Sequence, residues 1–278
     1  LIIPGIPVWF ETTGPPADPS RETFLLLHGF GGSSFSWREW APALAARGHV
    51  VVVDLKGFGR APKPADGAYA PRDHASALMR LIEELDLRRI TLVGHSMGGG
   101  IALQVALGLR DAGEAARLHR LVLVAGAAYR QRLPPFVALA RHPRATRVLM
   151  RLLGPDLVIS QALRSMVFEW GSITGDQIRG YAEPMGSRES VDAILCTGRQ
   201  IVPDDLDDVA ARYGEIVAPT LLLWGRQDRV VPPWVGERLS RTIRGSTLRI
   251  LERCGHLPQE EAPRQSLSIL ERFLEGSS

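Results

Sequence analysis

Ser96 lies in Val93-Gly94-His95-Ser96-Met97-Gly98-Gly99-Gly100, with an apolar run before it and an Ala- and Leu-rich stretch after it. Glycines at 94 and 98 have no Cβ, so the chain can turn sharply from strand to helix and hold the serine beyond the strand's end. The free N–H groups of the helix start then face the same way, which suits a developing negative charge. A phosphate-binding turn is the competing reading. A P-loop needs Gly-Lys-Ser/Thr at its end, and a dinucleotide fold needs its glycines after the first strand with an acid downstream. Neither pattern is present.

A serine hydroxyl is a weak nucleophile until a base takes its proton and an acid orients that base. Among the seven histidines, His256 in Cys254-Gly255-His256-Leu257-Pro258 stands just beyond the last apolar run. Its loop should open on the same edge as Ser96. His95 adjoins Ser96, and neighbouring side chains on such a turn are expected to diverge. His49, His74, His119 and His142 have no glycine or turn aiming them at a cleft. For the acid, Asp228 follows the penultimate apolar run, in Trp224-Gly225-Arg226-Gln227-Asp228. Asp54 precedes the nucleophile and is read as ordering its own loop, and Asp204, Asp205, Asp207 and Asp208 as a solvated helix start. Acyl transfer also needs donors for the tetrahedral oxyanion, each worth ~3 kcal/mol of transition-state stabilisation. The backbone N–H groups of Met97 and of Phe30, in His28-Gly29-Phe30-Gly31-Gly32, are the candidates.

Several elements must position these groups. Continuous apolar runs at 24–27, 50–53, 90–93, 121–124, 221–224 and 247–251 fit strands buried on both faces. Residues 71–86, 97–110, 232–243 and 261–275 carry helical patterns between them. Residues 8–11 fit an antiparallel edge strand. This alternation implies an open, doubly wound α/β sheet. Between Gly126 and Pro219 no buried strand is expected, and the segment is too long for a simple crossover. The expected division is a core of 1–130 with 216–278, and a helical cap inserted at 131–215. Phe136, Phe168, Trp170 and Tyr181 either line an apolar acyl pocket or form the cap's own core. Arg130, Arg132, Arg141, Arg144, Arg147 and Arg151 read as a solvated helix face, with a lipid-facing lid as the alternative.

Composition narrows the function classes. The chain has 278 residues, 45% of them hydrophobic and 23% charged, enough to bury a core without staples. A net charge of +3 invites an anionic partner, but the basic residues are scattered and all but Lys56 and Lys63 are Arg. Nucleic-acid binding is therefore not expected. Cys196 and Cys254 are too few for a secreted disulfide framework and are expected as thiols. No run of ~20 apolar residues is present, so stable membrane insertion is not expected. Metal-ligand spacing is absent too, and neither a metal nor a cofactor is expected. A cytoplasmic location is expected, although a chain starting at Leu1 is compatible with an earlier-removed leader.

These landmarks, with Asp54-Leu55-Lys56-Gly57-Phe58-Gly59-Arg60, together resemble the α/β-hydrolase superfamily across almost the whole chain outside the cap. The resemblance implies a mostly parallel eight-stranded sheet and cofactor-free hydrolysis by Ser96, Asp228 and His256. Related epoxide hydrolases and haloalkane dehalogenases carry Asp where this chain has Ser96. Hydrolases of carbon–carbon bonds usually have Asn at the position of His95, and haloperoxidase-like esterases an aromatic. The Gly-His-Ser-Met-Gly-Gly form is common among carboxylesterases and lipases. A small-molecule carboxylic ester is therefore the expected substrate. Carbon–carbon or lactone hydrolysis by the same triad is the alternative, and a ligand receptor on a hydrolase fold the minor one.

Overall fold

The computed structural model describes residues 1–276. Seven strands build one sheet: β1 (Trp9–Thr13), β2 (Thr23–Leu27), β3 (His49–Asp54), β4 (Ile90–His95), β5 (Leu118–Val124), β6 (Thr220–Gly225) and β7 (Thr247–Leu251). Their spatial order is β1-β3-β2-β4-β5-β6-β7, with β1 antiparallel to β3 and every other pair parallel. All five residues of β2 are buried, as both-face burial demands of an unbroken Thr-Phe-Leu-Leu-Leu run. Alternate residues serve opposite faces. Phe24 and Leu26 join the core of Trp37, Trp40, Leu44 of α1 (Ala41–Ala45) and Leu270, while Leu25 and Leu27 join the core beneath the helices α2 (Pro71–Glu84) and α3 (Met97–Asp111).

An eighth strand was expected, and the described residues contain seven. At the outer edge, Leu1 and Phe10 exchange both backbone hydrogen bonds, at 2.7 and 3.0 Å. That is one rung of pairing, too short to count as a strand. Between β5 and β6 the chain forms only helices and loops, including α4 (Pro135–Ala140), α5 (Pro143–Met166), α6 (Gly175–Ala182), α7 (Arg188–Gln200) and α8 (Leu206–Ala211). After β6 come α9 (Trp234–Thr242), α10 (Pro258–Glu261) and α11 (Pro263–Leu274).

One packing choice leaves a pH signature. His74, on the buried face of α2, lies between Phe58 and Tyr69, and neither ring nitrogen has a hydrogen-bond partner. Burial, with smaller contributions from His28 and Lys56, lowers it to about 3. The unfolded chain therefore binds a proton below pH ~6.5 that the folded chain refuses. Stability contributed by this group is complete above pH ~6.5 and is lost as pH falls towards 3. We expect His74→Phe to flatten the fall in Tm between pH ~6.5 and ~4 in calorimetry. Identical slopes in both proteins would contradict this.

Candidate active site

The turn at Ser96 joins the end of β4 directly to the start of α3. Ser96 has φ 53° and ψ −119°, a left-handed conformation that costs a non-glycine residue about 1–3 kcal/mol. The surroundings enforce it. Ser96 N–H donates to the Val124 carbonyl at 3.0 Å, while its own carbonyl accepts from Gly99 and Ala127, both at 2.9 Å. A Cβ at Gly98 would stand 2.5 Å from the His28 carbonyl oxygen and 2.6 Å from that of Leu27. Only glycine lets α3 begin so close to the end of β2.

His256 and Asp228 meet from the loops after β7 and β6. His256 Nδ1 lies 2.8 Å from Asp228 Oδ2, and both side chains are buried. Asp228 Oδ1 accepts the N–H groups of Val230 and Val231 at 2.8 and 2.9 Å, which fixes the carboxylate plane. This network assigns the proton to Nδ1 and leaves Nε2 as the basic nitrogen. His256 and Ser96 line one cavity, but no hydrogen bond joins them among the described residues. Such contacts often tighten only with substrate bound.

The loop carrying His256 is held from all sides. The Glu261 carboxylate accepts the N–H of Gly255 (2.9 Å), of Leu257 (2.9 Å) and of Phe168 (2.7 Å). His256 N–H donates to the Met166 carbonyl at 2.8 Å. A Cβ at Gly255 would sit 2.4 Å from that carbonyl, so glycine permits the close approach. On the other side, His95 Nε2 donates to the His256 carbonyl at 2.9 Å, with the two rings 4.8 Å apart. Burial, then the neighbouring His256, hold His95 well below the usual histidine range, so it serves as a neutral donor. Glu260 forms a second tie, paired with Arg38 at 2.7 Å and bonded to Tyr181 and Gln177 of α6.

Phe30 and Met97 line the same cavity as Ser96, and neither backbone N–H has an acceptor among the described residues. His28 anchors the loop bearing Phe30. Its Nδ1 donates to the Gly29 carbonyl at 2.7 Å and its Nε2 accepts from Leu55 N–H at 3.0 Å. Asp54 ties the same region, accepting from Ser34 and Arg60 N–H at 2.5 and 2.7 Å, as its loop-ordering reading requires. The cavity encloses about 1680 Å³ of empty space, counting its open mouth. Met150, Ile159, Leu163, Met185 and Ile194 from the helical insertion form much of its wall. Among the described residues, no Asp, Glu, Lys or Arg side chain lines it.

The four aromatic residues expected as substrate contacts divide evenly. Phe136 and Tyr181 line the cavity. Phe168 does not: its backbone is pinned to Glu261 and its ring lies under Arg253 at 5.4 Å. Trp170 does not either, being 59% exposed on a short turn after α5. His95, Glu260 and Glu261 were not anticipated. The two glutamates follow His256 within five residues, and that proximity was the available signal. Among the described residues no group of three or more His, Cys, Asp or Glu is placed to hold a metal ion. Among the described residues no helix is long and apolar enough to cross a membrane. Cys196 and Cys254 are free thiols.

Comparison with known proteins agrees with this fold. The uncharacterized hydrolase YugF of Bacillus subtilis is 30% identical over 262 residues, covering 94% of this chain and 92% of its own. The 2-hydroxy-6-oxononadienedioate/2-hydroxy-6-oxononatrienedioate hydrolase of Paraburkholderia xenovorans is 31% identical, covering 88% and 84%. The solved structure of a thermophilic esterase from Thermogutta terrifontis superposes with a TM-score of 0.76 at 26% identity, over 97% and 93% of the two chains. A model of the alpha/beta hydrolase family matches residues 24–267, a range that includes Ser96, Asp228 and His256. The chain belongs to the alpha/beta hydrolase family.

Proposed function

We propose that this chain is a serine hydrolase of uncharged, largely apolar carboxylic esters, working through an acyl-enzyme on Ser96. The cavity carries this reading, because it brings Ser96 and His256 together under an apolar wall without a formal charge. Ser96 Oγ attacks the ester carbonyl as its proton passes to His256 Nε2, and Asp228 stabilises the imidazolium through Nδ1–H. The Phe30 and Met97 N–H groups receive the oxyanion. Collapse breaks the carbon–oxygen bond, and His256 gives its proton to the leaving alkoxide. A water, deprotonated by the same nitrogen, then releases the acid and regenerates Ser96. We take residues 131–215 as the cap that selects the substrate, with Phe136 and Tyr181 in its wall.

A second reading has support of its own. Three curated relatives are named as hydrolases of 2-hydroxy-6-oxononadienedioate or 2-hydroxy-6-oxononatrienedioate, and they weigh towards the carbon–carbon reading more than towards the ester one. The same triad would serve it. Their named substrate is a dicarboxylate, and the uncharged cavity favours a neutral molecule instead. A panel of p-nitrophenyl esters and vinylogous ring-fission diketones, with phosphonate labelling of Ser96 read by mass spectrometry, separates the readings. Ester turnover with labelled Ser96 is expected. Strong diketone turnover with none on esters overturns the ester reading. Turnover far below ~1 s⁻¹ on every substrate, with Ser96 unlabelled, overturns both and favours a receptor.

A further inference from the structure

Helix α5 has two apolar faces, and the cavity uses only one. Thr146, Met150, Val158, Ile159, Ala162 and Leu163 turn inward to line it. On the outside, Val148, Leu152, Leu153 and Leu157 are exposed large hydrophobics, Leu152 at 76%. The helix breaks between them at Gly154, with φ 76° and Pro155 following. Arg144, Val148 and Leu152 recur at i, i+4 spacing and form one row, with Arg147 and Arg151 beside it. From Leu133 to Leu157 the chain has four arginines, at 141, 144, 147 and 151, and one acidic residue, the exposed Asp156. Of these four, only Arg147 has a carboxylate partner among the described residues, Asp192 at 2.7 Å.

We propose that this outer face of α5 docks on an anionic lipid surface. Leucines at the break enter the acyl boundary, and the flanking guanidinium groups meet lipid phosphates. Charge selects this occupant over a second copy of the chain. A twofold contact through the same face would set the four arginines of each copy against those of the other, with Asp156 and Asp192 as the nearby acids, so like charge outweighs opposite charge. The consequence for the site is direct, since the helix lying on the membrane is also the wall of the cavity. The proposal is independent of which bond the site cleaves.

The test is co-sedimentation of the full chain with vesicles of equal parts phosphatidylcholine and phosphatidylglycerol, and with pure phosphatidylcholine. Salt is set at about 0.1 M and then about 1 M, which shortens the Debye length from about 10 to about 3 Å. Binding to the anionic vesicles at low salt is expected, falling at high salt and on neutral vesicles. Leu152→Asp/Leu153→Asp should weaken it at least about tenfold. Arg144→Gln/Arg151→Gln should weaken it about fivefold per charge removed. Melting temperatures matching wild type establish that both variants are folded. No sedimentation of wild type, or undiminished binding by both folded variants, overturns the proposal. So does a wild-type dimer in light scattering that Leu152→Asp/Leu153→Asp dissociates, because the face is then an interface between copies.

Discussion

Asp228→Asn is expected to lower kcat roughly ten-thousandfold while leaving the fold intact. The reason lies in which oxygen is already committed. Asp228 Oδ1 holds the N–H groups of Val230 and Val231, so the amide oxygen of an asparagine must take that place. Its NH₂ group then faces His256 Nδ1, at the position where Oδ2 now lies 2.8 Å away. A donor there forces the imidazole into the other tautomer, with its proton on Nε2 and no lone pair for the serine. Ser96→Ala removes the nucleophile itself and should cost roughly a millionfold. The two losses should not add, because the residues act as one unit. Steady-state kinetics on the best ester of the panel checks this. A fall of less than about tenfold in either variant would remove the residue from the mechanism.

The second large effect is expected at Glu261. Truncation to alanine leaves the N–H groups of Gly255, Leu257 and Phe168 without their acceptor. An unpaired buried donor costs about 1–3 kcal/mol, and water recovers part of it. A net loss of about 3 kcal/mol, or a fall in Tm of roughly 6–12 °C, is the expected result. Activity should fall further than stability explains, because two of the three donors flank His256. Misplacing a catalytic group by about 1 Å costs about a hundredfold. The expected pattern below Tm is therefore a lower kcat with little change in KM, partly restored by Glu261→Gln, whose amide oxygen still accepts. Wild-type kcat in a destabilised Glu261→Ala would reduce the residue to a structural role.

Local rules made the sheet legible. Unbroken runs such as Val50–Val53 and Leu221–Trp224 have one cheap arrangement in a chain of this length, a parallel strand buried on both faces. The glycines and turns after those runs located Ser96, Asp228 and His256. Legibility ended where contacts span long separations. The sequence argument set His95 aside because neighbouring side chains diverge on a tight turn. Its actual partner is the carbonyl of His256, 161 positions away. Phe168 and Trp170 were indistinguishable from Phe136 and Tyr181, since helical spacing fixes a face but not what that face meets. The crossing of the Met166–Phe168 backbone over Gly255 decided the matter, and no local pattern encodes such a crossing. The arginine row of α5 read as a solvated face, and the pattern did not announce the exposed leucines beside it.

The Met166–Phe168 crossing also limits how this enzyme can be rebuilt. A cap transplanted from a relative by cutting at its sequence boundaries would sever bonds running from its interior to the histidine loop: His256 to the Met166 carbonyl, and Phe168 to Glu261. The graft and residues 254–261 form one cassette. Recombination that respects that seam should yield working chimaeras, and recombination that ignores it should yield folded proteins whose histidine is loose.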